Sequence, residues 1–189
     1  MTAPTSVLPA QAAARLDDYA VIDVRTPGEY ASGHVPGAHN IPLDHIRAAL
    51  PALKAAAARG DLLMVCASGS RSATACSELA AAGIPAATLT GGTGAWAEQG
   101  HPLDRSAGAS RVWGMERQVR LAAGSLVLLG LAVGTRYRPA RGLSAAIGGG
   151  LVFSALTNSC GMAAALARLP HNRPRSADLD ATLAALHQR

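Results

Sequence analysis

Aromatic side chains are nearly missing from this sequence: two Trp, three Tyr and one Phe make up 3% of 189 residues, in a chain that is 49% hydrophobic. Its apolar content is mostly Ala, Leu and Val. Acidic residues are also scarce, 12 Asp and Glu against 17 Lys and Arg, for a net charge of +5. The surplus arginines do not form a basic block with interleaved aromatics; they gather around the apolar runs of the C-terminal half. That argues against a nucleic-acid partner. Three cysteines, an odd number at wide spacing and without a CxxC pair, cannot build a disulfide framework and suit thiols in a reducing compartment. His34, His39, His45 and His101 supply no HxxxH or HExxH arrangement, so neither a metal site nor another cofactor is expected. The first ten residues, MTAPTSVLPA, have neither a basic n-region nor a long apolar core, which argues against a cleaved secretory signal.

What the sequence does have is concentrated in Leu62–Ser77, LLMVCASGSRSATACS. A short apolar run ends at Cys66, a small-residue loop leads to Arg71, and an Ala-rich helical pattern runs from about Ser72 to Ala82, with Gly83 placed to end it. A strand, a tight loop and a helix N-terminus turn backbone N–H groups and the positive end of the helix dipole toward the loop's centre. A thiol there loses its proton more readily than a free one, and the thiolate is the nucleophile. Gly69 frees the loop to turn its amides inward. Arg71 either supplies a fixed positive charge or braces the loop from outside. A strand-end cysteine that is only a small hydrophobe is the plainer alternative.

The order Cys66, Gly69, Arg71 resembles the C-x-x-G-x-R active-site loop of the rhodanese family of sulfurtransferases. Upstream, Asp23-Val24-Arg25, Glu29-Tyr30 and the run from Gly33-His34 to Ile41-Pro42 carry the same resemblance. Downstream, Leu89-Thr90-Gly91-Gly92, Trp96, Gly100 and Pro102 extend it. Three ordered motifs across about half the chain are hard to obtain by chance. The resemblance implies that Asp23 and Arg25 form a structural polar network beneath the active site, that His34 is a hydrogen-bonding residue, and that Ala67, Ser68, Gly69, Ser70, Arg71 and Ser72 cradle the sulfur.

Taken in order, Pro9–Leu16 reads as a short helix and Ala20–Val24 as a buried parallel strand. Thr26–Tyr30 starts a helix with Pro27 at its first position. Leu43–Ala58 is helical by composition with an interruption at Pro51, and Ala86–Leu89 is a further strand. Gly91-Gly92 makes the turn into a helix containing Trp96. Cys76, ten positions past Cys66 along a helix, lies too far for a local disulfide and reads as core. The expected fold is a three-layer α/β/α domain with a mostly parallel sheet over residues 1–103, followed by a linker over 104–118.

The remaining residues change character. The stretches between Arg120 and Arg136 and between Arg141 and Arg168 carry no charge and are strongly apolar. The second exceeds the length of a spanning helix and the first falls a few residues short, a gap that snorkelling arginines can close. Gly130/Gly134, Ala145/Gly149 and Ala146/Gly150 give small-xxx-small spacing suited to helix contact in lipid. A transmembrane helical hairpin over 119–170 is expected, with a buried soluble hairpin as the alternative. Arginines on the outer flanks outnumber Arg136, Arg138 and Arg141 in the loop, which places the enzyme domain and both termini in the cytoplasm. This half resembles the two-helix module fused to rhodanese domains in prokaryotic inner membranes, including Asn158-Ser159-Cys160-Gly161-Met162 and the Leu169–Arg173 exit. The tail, 171–189, has an amphipathic pattern through Leu179, Leu183 and Leu186.

The implied reaction is sulfane-sulfur transfer through a Cys66 persulfide, from a donor such as thiosulfate to cyanide or a thiol, with lipid and a second copy, through the transmembrane helices, as candidate partners. Ala67, Ser68 and Ser70 leave the loop almost neutral, which weighs against a dianionic donor such as thiosulfate and leaves room for a less charged persulfide donor. Two rivals stand beside this. Cysteine phosphatases with a similar cradle place five residues between cysteine and arginine, whereas Ala67–Ser70 are four. A non-catalytic binding module is the other, against which the cysteine itself argues. Cys160 is a candidate relay thiol, by virtue of its polar neighbours in an apolar run.

Overall fold

A computed structural model describes residues 5–106, 115–157, 161–167, 169 and 176–188. They divide into two units, one holding the N-terminal 112 residues together with the C-terminal segment from Pro174, the other Trp113–Arg173.

The first unit is built on five parallel strands: β1 (Thr5–Val7), β2 (Tyr19–Asp23), β3 (His39–Asn40), β4 (Asp61–Val65) and β5 (Ala87–Leu89), in spatial order β1-β5-β4-β2-β3. Because side chains alternate across a pleated strand, β2 and β4 feed two separate cores. Ile22, Leu62 and Met64 face one side, with Cys66 continuing their alternation beyond the strand. Val21, Leu63 and Val65 face the other. On the first side lie α3 (Ile46–Ala57) and α4 (Ser70–Ala81), contributing Ile46, Leu53, Ala75 and Leu79. On the second lie α1 (Pro9–Ala14), α2 (Pro27–Ser32) and α5 (Gly92–Glu98), with Ala12 and Trp96 fully buried. The result is a three-layer α/β/α arrangement around an entirely parallel sheet.

Local differences from the sequence expectation have identifiable causes. Pro51 does not interrupt α3. It stands on the exposed face, where the carbonyl deprived of its partner meets water, while Ile46, Ala49, Leu53 and Ala56 hold the buried face. Helix α4 starts at Ser70, two residues early, because Gly69 adopts a left-handed conformation (φ +99°) that turns the chain into the helix at once. Asp104, taken as the start of the linker, belongs to the fold: it exchanges backbone hydrogen bonds of 2.9 Å with His34, and Ser106 N–H reaches Ala31 O at 3.2 Å.

The C-terminal helix α9 (Ser176–Gln188) completes this unit, packing on α3 and beside the edge strand β3. Leu186 is 2% exposed and shares a core cluster with Ile41, Ile46 and Leu53, while Leu179 and Leu183 pack at its rim. Arg59 Nη2 donates to the Leu186 carbonyl.

In the second unit α6 (Met115–Val133) and α7 (Ala140–Thr157) form a hairpin, and α8 (Gly161–Ala167) packs on α6. Of the long apolar run, the described residues to Thr157 and from Gly161 are helical, and residues 158–160 lie outside the described ones. Gly130 and Gly134 face α7 so closely that an added Cβ would stand 2.4 Å from Ser144 Oγ and 2.5 Å from Arg141 Cγ, respectively. Ser144 Oγ donates to Val127 O at 3.0 Å. Gly149 and Gly150, by contrast, have nothing within 4 Å of where a Cβ would be. Leu128, Val152, Phe153 and Leu156 are 62–82% exposed, an apolar surface of the kind that marks a membrane or partner contact. No helix among the described residues is long and apolar enough to cross a membrane.

Candidate active site

The C-terminal edge of a parallel sheet is where open α/β folds place their chemistry, and Cys66 follows β4 directly at that edge. Its side chain is almost fully buried, at 1% exposure. Two donors converge on the sulfur: Gly69 N–H lies 3.1 Å from Sγ and the Ser72 hydroxyl 3.5 Å. Ser72 is held there by contacts of 3.0 Å to Gly69 O and 2.6 Å to Thr88 Oγ1 on β5. The first intrahelical hydrogen bond of α4, Ala73 N–H to Gly69 O, comes after the loop, so the positive end of a 12-residue helix faces the thiol's loop.

The opposite wall is the N-terminus of α5. Thr93 N–H donates to Cys66 O at 2.8 Å and Gly94 N–H to Ala67 O at 3.1 Å. These bonds fix the carbonyls of the nucleophile and of the residue after it, and leave the N–H edges of those two peptides turned away from α5. Only glycine fits at position 92: its φ is +59°, and a Cβ there would fall 2.1 Å from Cys66 O.

Arg71 is engaged by Glu29, and its positive charge also acts on Cys66. Its guanidinium grips the Glu29 carboxylate with two parallel hydrogen bonds of 2.9 and 2.8 Å, the bidentate geometry that suits arginine. Glu29 also closes a capping box on α2, accepting from Thr26 N–H and Oγ1 at 3.1 and 2.9 Å. Of the two roles open to Arg71 in the sequence, the geometry is that of a brace. In the sequence Glu29 stands only as part of a motif, with no role of its own. The Thr26-x-x-Glu29 spacing signals the cap, but nothing local signals a partner 42 positions away.

Burial by itself pushes the Glu29 carboxyl up, yet the hydrogen bonds and charge of Arg71, joined by Thr26, outweigh it and hold the group at about 2. A folded-state value below the unfolded one contributes stability that is complete above pH about 4.5 and is lost as pH falls toward 2. At about 1.4 kcal/mol per unit, the shift amounts to about 3 kcal/mol. We expect the urea midpoint to drop between pH 5 and pH 2.5, and Glu29→Gln to lower it at pH 7 while flattening this acid dependence. An unchanged acid limb in the variant would remove Glu29 as its source.

Beneath the loop, Asp23 and Arg25 form a buried pair, with Arg25 Nη2 2.6 Å from Asp23 Oδ2 and Nε 2.9 Å from Oδ1. Arg25 also donates to Gly33 O at 2.7 Å, and Asn40 Nδ2 to the carbonyls of Asp23 and Arg25, both at 2.9 Å. His34 stacks on Tyr30 with ring centroids 3.7 Å apart, its Nδ1 2.8 Å from Tyr30 O. Cys76 lies in the core on α4, where burial, with Cys66 nearby, pushes its thiol up to about 11. Cys160, with Asn158 and Ser159, lies outside the described residues. Among the described residues no three His, Cys, Asp or Glu side chains are grouped to hold a metal ion.

Comparison with known proteins gives two successive matches. Residues 8–99 match the family described as the Rhodanese-like domain. Residues 112–175 match the transmembrane domain described as inner membrane protein YgaP-like. An uncharacterized protein of Synechocystis sp. is 34% identical over 159 residues, 83% of this chain and 86% of that protein. A sulfurtransferase of Allochromatium vinosum is 34% identical over 94 residues, 49% of this chain and 85% of that protein. Among solved structures, a rhodanese-related protein of Thermoplasma volcanium superposes with a TM-score of 0.51 at 29% identity, covering 54% of this chain and 99% of that one.

Proposed function

This chain belongs to the rhodanese-like family, and from that premise we propose that it is a membrane-anchored sulfurtransferase working through a persulfide on Cys66. The observation that carries this is the pair of donors on one sulfur: Gly69 N–H and Ser72 Oγ–H both reach Sγ from the N-terminal end of α4. Those donors stabilise an anionic sulfur, and Cys66 is an anion both before it attacks and after it has taken up sulfur.

In the first half-reaction the Cys66 thiolate attacks the outer sulfur of a sulfane donor. The donor's S–S bond breaks with its electron pair leaving on the departing group, sulfite in the case of thiosulfate, and a Cys66–S–S⁻ persulfide remains. In the second, a thiolate or cyanide attacks the outer sulfur and Cys66 leaves as thiolate. Neither half requires an external oxidant or reductant. Asp23, Arg25 and His34 act as positioning residues that hold the loops under the cradle, and Arg71 with Glu29 braces it. A four-residue loop between Cys66 and Arg71, with Arg71 committed to Glu29, offers little to a phosphate ester.

Anchoring rests on the YgaP-like transmembrane domain and on the exposed Leu, Val and Phe side chains of α6 and α7. We place both flanks of that domain on the cytoplasmic side. Two observations support this: the excess of arginines on the flanks, and the packing of α9, which follows the domain in the chain, on α3 of the first unit.

The test is to incubate the detergent-purified full chain with a sulfane donor and read the mass of the Cys66 peptide. One added sulfur is expected, absent in Cys66→Ser and discharged by cyanide. If wild-type protein takes no sulfur from any sulfane donor, the enzyme reading fails and a binding module takes its place. Sulfur on the Cys160 peptide that also requires Cys66 would establish the relay.

A further inference from the structure

The turn between α6 and α7 carries cations that nothing in the second unit answers. Arg136 and Arg138 stand in the connection between Val133 and Ala140, and Arg141 is the second residue of α7. All three are exposed. Within 113–173 the one acidic residue of the sequence is Glu116, about 25 Å back along α6 by helical rise. Among the described residues none of the three guanidinium groups meets a carboxylate.

The backbone of the turn is closed on itself. Arg136 N–H and Tyr137 N–H donate to Val133 O at 3.0 and 2.9 Å. The N–H groups of Ala140, Arg141 and Gly142 donate to the carbonyls of Tyr137, Arg138 and Pro139 at 3.0, 3.1 and 2.9 Å. The first amides of α7 are therefore already used, and an anion here has to be held by side chains. Gly134 presents no side chain, and the stem of Arg141 lies in the space a Cβ would take. One of the three cations is thus carried on a stem packed across the turn, with less freedom to lose on binding.

Apolar side chains begin directly on both sides. Leu131 and Val133 on α6 and Leu143 on α7 are half exposed, and Tyr137, between the cations, is 63% exposed. A free phosphate ion would leave that apolar rim in water. A glycerophospholipid covers the rim with its acyl chains while its phosphodiester meets the arginines, whose planar forks match two phosphate oxygens. Tyrosine, with an apolar ring and a polar tip, suits the boundary between the two regions. The whole turn falls within the residues that match a transmembrane domain. A zwitterionic head brings its own cation and gains less from three arginines than a head of net negative charge.

We propose that the α6–α7 turn is a binding site for the phosphodiester head of an anionic glycerophospholipid, held by Arg136, Arg138 and Arg141 with Tyr137 at the apolar boundary. The site is separate from the chemistry at Cys66 and stands or falls without it.

The experiment uses the full chain in detergent micelles, with bound lipid counted by native mass spectrometry. The two probes share their acyl chains: dioleoyl phosphatidylglycerol and dioleoyl phosphatidylcholine. We expect the wild type to prefer phosphatidylglycerol roughly a hundredfold, at about fivefold for each cation near an anionic head. Arg136→Gln, Arg138→Gln and Arg141→Gln together should abolish the preference. Arg138→Gln alone should cost about fivefold, and it decides the case if circular dichroism shows the triple variant unfolded. Arg15, Arg47 and Lys54, exposed cations of the first unit, supply the charge-matched control. Replacing those three by Gln should leave the preference as it is. Equal binding of the two lipids by the wild type overturns the proposal, as does a preference that survives loss of the turn arginines. An equal loss in the charge-matched control assigns the effect to net charge and overturns the site. Displacement of the lipid by millimolar inorganic phosphate, at ionic strength matched with chloride, overturns the lipid as its occupant.

Discussion

Gly92→Ala is expected to abolish sulfur loading of Cys66 and to destabilise the first unit by about 3–5 kcal/mol, the range of severe single substitutions. The methyl group would stand 2.1 Å from Cys66 O, 2.7 Å from Ala67 C and 2.8 Å from Ala67 O. All three are backbone atoms, so no rotamer change relieves the clash. Alanine also disfavours the left-handed φ of +59° by about 1–2 kcal/mol. To fit, either α5 or the Cys66 loop has to move. Movement breaks the bonds from Thr93 N–H to Cys66 O and from Gly94 N–H to Ala67 O, each of which contributes about 1 kcal/mol net. The chemical loss exceeds the stability loss because those bonds orient the two peptide planes that follow the nucleophile, and shifts of about 1 Å are enough to cost catalysis about a hundredfold. Gly83→Ala is the matched control. Its φ is +72°, but nothing lies within 4 Å of the added methyl, so only the conformational cost should appear and sulfur loading should persist. Urea denaturation and mass measurement on both variants decide it. Normal loading by Gly92→Ala would mean that α5 does not hold the loop.

How much of this was legible beforehand depends on whether a feature is local. The Leu62–Val65 run, the Cys66 loop and the following helix announce themselves by period and by turn residues, because they are set by contacts a few positions apart. The capping box of Thr26 and Glu29 has the same character. Position 92 is different. The Gly91-Gly92 pair signals a turn, but the reason that alanine fails at the second glycine is a carbonyl 26 positions upstream, brought there by the parallel pairing of β4 and β5. Arg71 follows the same rule: its type and spacing left brace and free charge equally open, and only the spatial approach of Glu29 decides between them. Pro51 misled because a break rule applies to a helix considered alone, whereas α3 is held by its buried face.

The tail shows the same division. Leu179, Leu183 and Leu186 mark an apolar stripe in the sequence, but a stripe does not name the surface that receives it. In the structure Leu186 enters the cluster of Ile41, Ile46 and Leu53, and Arg59 from the end of α3 donates to its carbonyl. Leu186→Asp should therefore release α9 and destabilise the first unit by about 3–5 kcal/mol, since it replaces a buried side chain by a carboxylate with no described partner. For a domain of this size that is a fall in melting temperature of roughly 10–20 °C. Ala184→Asp, on the exposed face of the same helix, should lie within about 0.5 kcal/mol of wild type. Limited proteolysis of the full chain in micelles separates the outcomes: early cleavage within 176–188 is expected for Leu186→Asp alone. The consequence reaches beyond stability. Residues 176–188 follow the region that matches a transmembrane domain, so a tail seated on α3 is expected to bring the chain back to the side from which it left. If Leu186→Asp melts and cleaves like wild type, α9 does not hold that seat, and the placement of both flanks on one side is left to the arginine count alone.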